Sequence, residues 1–194
     1  MGGLLDKSKN KKNAIMESAL ELFTSKGFDN TSTASITKNA GVATGTLFTY
    51  FHNKMELINE LYLSTKKELY QVLLSIDIPP SGVLDRSIAA DIWRVMIRWG
   101  LENPTKMKFV IQYSSSPYIT KLTWDGIDTE MEMIREIYNR SIEEGVLKDI
   151  SVDYLSHITT SHTYSTIIFM IDNGIDDPQF IEKTFPTMWN MIGK

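Results

Sequence analysis

The stretch from Ser32 to Lys54, STASITKNAGVATGTLFTYFHNK, concentrates small hydroxyl side chains and aromatic rings on two short helical patterns. In the second pattern Gly45 and Thr49 lie on the face opposite Leu47 and Phe51, because successive residues of a helix are rotated by about 100°. This outer face has no Arg, Lys, Asn or Gln, so it cannot form the two-point hydrogen bonds that read guanine or adenine. It can offer single hydrogen bonds from hydroxyl groups, methyl contacts with thymine and close approach at Gly45.

These residues must be positioned by short helices, and the sequence pattern predicts a helix-turn-helix motif at about residues 32–51. The first helix extends from Thr33 to Ala40, and Gly41 stands where a helix commonly ends in a left-handed residue. A short turn follows, and Thr44 is expected to cap the second helix, which extends to Phe51. Two helices joined by a short turn that contains glycine is the arrangement of many DNA-binding proteins, so this stretch predicts contact with double-stranded DNA.

The next helix is predicted to begin with a cation in its first turn. Asn53 is expected to cap this helix, with Glu56 three residues later as in a capping box. Lys54 then opposes the helix dipole, and a phosphate bound by Lys54 and by free backbone N–H groups would explain its position. We expect Tyr50 and Lys54 to contact the DNA backbone and Thr49 to contact a base edge, with phosphate contacts supplying most of the affinity.

The charge of the chain is unevenly distributed. The net charge is −4, but residues 1–54 hold seven lysines and four acidic residues, and the remaining residues carry a net charge of −7. A basic N-terminal quarter favours a polyanionic partner, although a solvated, disordered tail is the alternative explanation for its first twelve residues. There is no cysteine, no apolar run long enough to span a membrane and no secretory signal, so we expect a cytoplasmic protein without a membrane partner.

The apolar periodicity predicts an all-α fold of about nine helices. The chain is expected to divide into a helix-turn-helix domain at 1–54 and a helical domain for effector binding and dimerisation at 55–194. The predicted helices cover about 9–26, 33–40, 44–51, 55–76, 83–102, 104–113, 122–144, 151–172 and 178–192.

About the first 60 residues resemble the N-terminal domain of the tetracycline-repressor (TetR) family of bacterial regulators. The residues that carry the resemblance occur in the family's order and spacing: Ile15, Ala19-Leu20-Glu21-Leu22-Phe23, Gly27-Phe28, Thr31-Ser32, Ile36, Ala40-Gly41-Val42, Gly45-Thr46-Leu47-Phe48, Tyr50-Phe51, Lys54 and Leu57. The remaining two thirds of the chain is similar only in its helical architecture.

The resemblance implies a DNA-binding transcriptional regulator that acts as a homodimer on a palindromic operator. By position, it implies DNA contacts from Thr33, Thr44, Gly45, Thr46, Phe48, Thr49, Tyr50 and Lys54. It also implies that the last two helices form a four-helix bundle with the partner, for which the candidates are Ile158, Phe169, Phe180, Phe185, Met188 and Trp189.

Two residues depart from the family pattern. The family usually has tyrosine at Phe48, where the hydroxyl binds a phosphate, and phenylalanine cannot form that bond. The family usually has a small apolar residue at Thr37, and we expect the Thr37 hydroxyl to donate to the carbonyl four residues back.

A small-molecule pocket in the helical body is the second implication of the resemblance. Aromatic-lined cavities between helices are common ligand sites, and the candidate lining residues are Trp93, Met96, Trp99, Phe109, Tyr113, Trp124, Met131, Tyr138 and His162. Ordinary core packing is the alternative for each of them. Arg94 and Arg98 would bind an anionic effector if buried, but their position off the apolar stripe favours a solvated face with salt bridges.

The remaining polar groups do not indicate an enzyme, a metal site or a cofactor. The carboxylates Asp125, Asp128, Glu130, Glu132 and Glu136 are best explained as a solvated helix face, and His157 and His162 have the wrong spacing for a two-histidine metal site. The sequence therefore predicts a dimeric repressor released by a small apolar or aromatic effector. The alternatives are a regulator of the same fold without a small-molecule effector, and a small helical enzyme or binding protein.

Overall fold

The computed structural model describes the backbone of residues 2–126 and 128–194, and the side chains of residues 10–121, 123, 125–126 and 131–194. The described residues form ten helices and no strand, apart from a single antiparallel bridge between Leu147 and Gly193. The helices are α1 (Gly2–Lys26), α2 (Thr33–Asn39), α3 (Thr44–Tyr50), α4 (Lys54–Leu74), α5 (Arg86–Glu102), α6 (Pro104–Tyr113), α7 (Lys121–Asp125), α8 (Asp128–Glu143), α9 (Val152–Asp172) and α10 (Pro178–Ile192). The all-α prediction is confirmed.

Local sequence signals account for most of the helix ends. Gly27 and Gly41 have φ values of 79° and 66°, in the left-handed region that favours glycine, and they follow α1 and α2. The side chain of Ser32 accepts from the Ser35 backbone N–H at the start of α2, and Ser151 accepts from Tyr154 at the start of α9.

The chain forms two compact units. The first unit contains residues 1–65 and 108–125, and the second contains residues 66–107 and 126–194. The core of the first unit joins α1, α2, α3 and the first half of α4 to the segment at 108–125. Its largest buried side chains include Phe23, Ile36, Leu47, Phe51 and Phe109. The bounds of this unit differ from those of the predicted domain at 1–54 because residues distant in sequence complete its core, and the functional division at residue 54 stays a prediction.

The second unit is built around α5, α9 and α10, which pack against one another. The indole N–H of Trp93 on α5 donates to the carbonyl oxygen of Ile181 on α10 at 2.9 Å. A Cβ atom at Gly100 would lie 2.6 Å from Ile167 Cγ2, so glycine allows α5 and α9 to approach closely. None of the helices in the described part of the chain is long and apolar enough to cross a membrane.

The predicted helix at 122–144 is interrupted. α7 ends at Asp125 and α8 begins at Asp128, with Gly126 between them. Glycine has a low helix propensity because ordering its backbone is costly in entropy, which agrees with the position of this break. The start of α5 also differs from the prediction, because Asp85 accepts from the backbone N–H groups of Ser87 and Ile88 and so begins the helix at Arg86.

Candidate nucleic-acid interface

The second helix of the motif, α3, separates a buried face from an exposed face as the sequence indicates. Leu47 is fully buried in the core of the first unit, and Phe51 directly after the helix is buried as well. The exposed face presents Thr44, Gly45, Phe48 and Thr49, while Thr46 and Tyr50 are partly buried at its sides. The apolar Phe48 ring is 53% exposed, which is unusual for a side chain of its size and leaves it available to an external surface.

Gly45 is not required by the fold of the chain. A Cβ atom added at this position would meet no atom within 4 Å, and its φ is not in the left-handed region. The nearby Thr49 hydroxyl donates to the Gly45 carbonyl at 3.5 Å, a long and therefore weak hydrogen bond. Both residues thus leave space and hydrogen-bonding capacity on the exposed side of α3.

Hydroxyl groups donate to backbone carbonyl oxygens of α2, the first helix of the motif. Ser18 on α1 donates to the Ile36 carbonyl at 2.8 Å. The Thr37 hydroxyl donates to the carbonyl oxygens of Thr33 and Ala34, both at 3.1 Å, which confirms the predicted bond to the residue four positions back. Thr33 is partly buried at the first position of α2.

Thr44 does not cap α3, which corrects the sequence prediction. The extended residue before the helix is Ala43, whose side chain cannot accept a hydrogen bond, and Thr44 is the first helical residue. The hydroxyl of Thr44 is therefore not used as a cap, and the side chain remains exposed.

Lys54 has a structural role that the sequence did not indicate. Its ammonium donates to the carbonyl oxygens of Phe28 at 2.7 Å and Thr31 at 2.9 Å, and it lies 4.1 Å from the centre of the Phe28 ring. These contacts satisfy carbonyl groups in the connection between α1 and α2. The prediction of a cation free to bind an external phosphate is wrong in this respect, because two of the three ammonium donors already have partners.

The N-terminus of α4 also carries its own carboxylate. Asn53 accepts from the Glu56 backbone N–H at 2.9 Å, as expected of a cap. Glu56 in turn accepts from the backbone N–H of His52 at 2.6 Å and faces its ring nitrogen at 2.7 Å. The hydrogen bond from the His52 backbone lowers the pKa of Glu56. This negative charge occupies the first turn, where the sequence had predicted a site for phosphate.

Phe109 and Tyr113, which were predicted to line an effector pocket, belong to the core of the first unit. Tyr113 donates to the Phe23 carbonyl at 3.0 Å, and its ring centre lies 4.9 Å from that of Phe109. Burial raises the pKa of Tyr113. Both residues supply the long-range packing that completes the core of the first unit, and their part in an effector pocket stays a prediction.

The segment at 108–125 also holds the connection between α1 and α2 through Tyr118, a residue that sequence reasoning missed. Its ring stacks on Phe28 at 4.1 Å, and its hydroxyl donates to the Asp29 carboxylate at 2.6 Å. This hydrogen bond raises the pKa of Tyr118. No local pattern could have indicated a partner 89 residues away.

The other predicted pocket residues, apart from Trp124, lie in the second unit and have different environments there. Trp93, Met96, Trp99 and Tyr138 are buried, whereas Met131 is 40% exposed. The His162 ring stacks on Trp93 at 5.6 Å, and its buried Nε2 has no hydrogen-bond partner among the described residues. The side chain of Trp124, and those of Asp128 and Glu130, lie outside the described residues.

A groove of about 450 Å³ lies in the second unit, and of the predicted set only Trp99 lines it. Its other lining residues are Val72, Arg94, Val95, Arg98, Glu102, Pro178, Ile181 and Glu182. Arg94 binds Glu182 through two hydrogen bonds of 2.6 and 2.8 Å and also binds Asp91, while Arg98 pairs with Asp176 at 2.8 Å. The two arginines therefore form an exposed face of salt bridges, as the sequence indicated.

The predicted dimer residues divide into two groups. Phe185, Met188 and Trp189 on α10 are buried within the second unit, so their assignment to a dimer surface is wrong. Phe169 is 51% exposed and stacks on the partly buried Phe180 at 6.0 Å. Ile158 is partly buried on α9.

Among the described residues, no cluster of histidine and carboxylate side chains could hold a metal ion. Of the predicted carboxylate set, Glu132 lies 3.7 Å from Arg135, which also pairs with Asp153. Glu132 thus forms an exposed salt bridge, and Glu136 is exposed to solvent.

Comparison with known proteins shows what this chain is similar to. The sequence model described as bacterial regulatory proteins of the tetR family matches residues 15–61, which contain the whole helix-turn-helix. An uncharacterized HTH-type transcriptional regulator of Bacillus subtilis (strain 168), YhgD, is 38% identical over 61 residues, which are 31% of this chain and 32% of that protein. A second regulator of this type, from Haemophilus influenzae, is 24% identical over 185 residues, which cover 93% of this chain and 94% of that protein.

Solved structures extend the similarity to the whole chain. A crystal structure described as a tetR family transcription regulator from Shewanella sp. PV-4 has a TM-score of 0.83 and 29% identity, covering 95% of this chain and 98% of that one. A TetR family regulator from Marinobacter aquaeolei VT8 has a TM-score of 0.86 at 19% identity, covering 97% of this chain and 98% of that one, which shows the shared fold. The exposed α3 face, the matched motif and these relatives together show that residues 15–61 form a helix-turn-helix of the tetR type, that the chain has the fold of TetR-family regulators, and that it is a DNA-binding transcriptional regulator.

Proposed function

We propose that this regulator binds a palindromic operator as a homodimer and represses transcription until a small-molecule effector releases it from the DNA. It acts in the cytoplasm, on the DNA of the nucleoid. The observation that carries the proposal is the exposed face of α3. This face presents Thr44, Gly45, Phe48 and Thr49, and none of these side chains is charged. Because this face lacks side chains for two-point base reading, each copy discriminates bases weakly, and a second copy on the operator supplies the remaining specificity.

The DNA contacts that we propose follow from exposure and chemistry. Thr49 touches a base edge through its hydroxyl or methyl group, and Gly45 allows the DNA to approach the backbone of α3. Thr33, Thr44, Thr46 and Tyr50 contact phosphates or sugars, and the Phe48 ring packs on sugar or thymine methyl groups instead of binding a phosphate. Lys54 supports this surface by holding the connection between α1 and α2.

The proposed dimer uses the exposed side of α9 together with α10. Between Asp153 and Asp172 there is no charged residue on α9, although Tyr154, His157, Ser161, Ser165 and Phe169 are exposed on one side. An exposed helix face without charge is the expected surface of a helix that packs against a partner. Ile158, Phe169 and Phe180 remain the apolar candidates for this interface.

The proposed response to effector uses α4, whose residues 54–65 belong to the first unit and residues 66–74 to the second. An effector that prefers one arrangement of the second unit changes the distance between the two α3 helices of the dimer. These helices must lie about 34 Å apart to enter successive major grooves of DNA. A preference of about 10⁴ between the two arrangements switches nearly the whole population.

The test is selection of bound sequences from a random DNA pool by the full-length protein, followed by affinity measurement at several salt concentrations. We expect a palindrome and a steep fall in affinity with salt. Thr49→Ala should weaken binding to the selected palindrome about fivefold, the loss of one modest hydrogen bond, while binding to random DNA changes little. Thr105→Ala, at an exposed threonine of α6, is the matched control. An equal loss on all DNA sequences would show that Thr49 does not contact a base.

A further inference from the structure

α4 carries a buried lysine that the DNA-binding surface does not use. Lys66 lies in the second unit and is only 8% exposed. Its ammonium lies 3.5 Å from the Tyr164 hydroxyl and 4.8 Å from the centre of the Tyr70 ring. Among the described residues no carboxylate pairs with it, so its charge has only a weak hydrogen bond and an aromatic ring as partners.

Neighbouring lysines show how unusual this environment is. Lys67, the next residue, is exposed to solvent, and Lys106 binds both oxygens of Glu68 at 2.7 Å. An ammonium that is buried without a counter-charge is costly, because it has lost its hydration and gained little in return. Burial lowers the pKa of Lys66 to about 8, so the amine is still mostly protonated at neutral pH.

The two described contacts of the Lys66 ammonium are both with tyrosines, Tyr164 and Tyr70. Tyr70 is buried and its hydroxyl donates to Met131 Sδ at 3.0 Å. Met131 on α8 is 40% exposed, so this cluster extends from the buried amine to the surface of the second unit. The thioether and the two rings offer an adaptable apolar surface beside a single cation.

We propose that Lys66 binds the carboxylate of an amphipathic organic acid whose apolar part packs against Tyr70, Tyr164 and Met131. The inference rests on the proposed function, and it assigns the chemical class of the effector. One ammonium suits the single charge of a carboxylate, whereas a phosphate dianion requires several donors or cations. Arg94 and Arg98 cannot supply them, because they are already paired with Asp91, Glu182 and Asp176.

The experiment compares acids with alcohols of the same shape. Binding of decanoate and 1-decanol, and of 4-phenylbutyrate and 4-phenyl-1-butanol, is measured by titration calorimetry on the full-length protein without DNA. At least one acid should bind ten times more tightly than its alcohol. Lys66→Met should abolish this preference and leave the affinity for the alcohol unchanged, while Lys67→Met, which removes a charge from an exposed position one residue away, should retain it.

Two results would overturn the inference: neither acid binds more tightly than its alcohol, or the preference persists in Lys66→Met. The fold of each variant is checked by thermal melting. Lys66→Gln, which keeps a hydrogen-bond donor without the charge, replaces Lys66→Met if the latter does not fold, and it should likewise lose the preference.

A second measurement separates this inference from the proposed function. The acid that binds is added to the complex of the protein with its selected palindrome. Binding through Lys66 without release of the DNA would support the carboxylate site and contradict the effector-released repressor. Release that is equal in wild type and Lys66→Met would contradict the carboxylate site and support the repressor.

Discussion

The ammonium of Lys54 connects the start of α4 to the carbonyl oxygens of Phe28 and Thr31. Lys54→Met should therefore destabilise the protein by about 2 kcal/mol, since hydrogen bonds from a charged donor are lost and two carbonyls lose their partner. Thermal melting of the full-length variant measures this effect.

The salt dependence of DNA binding distinguishes a structural role of Lys54 from phosphate contact. If the ammonium serves the fold, the slope of log affinity against log salt stays the same in Lys54→Met at a temperature where the variant is folded. A slope reduced by about 0.9 would mean that Lys54 neutralises a phosphate, and our assignment would then be wrong.

Gly45 allows stability and DNA binding to be separated in one substitution. Because nothing lies within 4 Å of the added methyl group, Gly45→Ala should stabilise α3 by about 0.5 kcal/mol. The same methyl group should obstruct the DNA backbone or bases and reduce operator affinity at least tenfold in a gel-shift assay. Unchanged affinity in the stabilised variant would show that DNA does not approach α3 at this position.

At the scale of single residues, the sequence predicted contacts that are local and missed those that are not. The Thr37 hydroxyl has its acceptors three and four residues away, so helix geometry alone indicates them. The acceptors of Lys54 lie 23 and 26 residues away, and only the folded unit brings them together. Thr44 failed as a cap for a different reason, because the helix begins one residue earlier than the capping pattern requires.

Among the helices, the apolar period and the capping residues predicted most of the segments but not their partners. The periodicity of α6 located the helix at 104–113, and yet Phe109 and Tyr113 pack on residues near the N-terminus. Aromatic residues on a helix face have the same pattern whether they line a cavity or fill a core. The effector pocket was therefore the least predictable part of the site.

The exposed side of α9 is the element on which the dimer proposal can be tested directly. Ser165 is exposed and stands near the middle of this side, one turn from Phe169. Ser165→Arg should leave the protomer folded but bury an unpaired charge in the proposed interface, which is strongly unfavourable. Analytical ultracentrifugation should show a dimer for wild type and a monomer for the variant.

The matched control is Ser87→Arg, the same change at an exposed serine at the start of α5. This variant should remain dimeric. A dimeric Ser165→Arg variant would show that α9 does not form the interface through this side, and a monomeric wild type would contradict the homodimer itself.

Across the whole molecule, charge is separated along the chain in a way that should control DNA affinity. Residues 1–54 have a net charge of +3, while the remaining residues have a net charge of −7. The acidic part repels DNA, so binding relies on contacts between the basic part and phosphates. DNA affinity should therefore fall more steeply with salt than expected for a protein whose net charge is −4.

The lysines of the N-terminal end provide the test. The double variant Lys7→Gln and Lys9→Gln should weaken binding to all DNA sequences about equally and reduce the salt slope by about 0.9 for each lysine that contacts a phosphate. The control variant, Lys67→Gln with Lys183→Gln, removes the same charge from exposed positions of the second unit and should leave the slope unchanged. An equal loss of affinity in both double variants would mean that the overall field of the protein, and not contacts from its N-terminal end, determines the attraction to DNA.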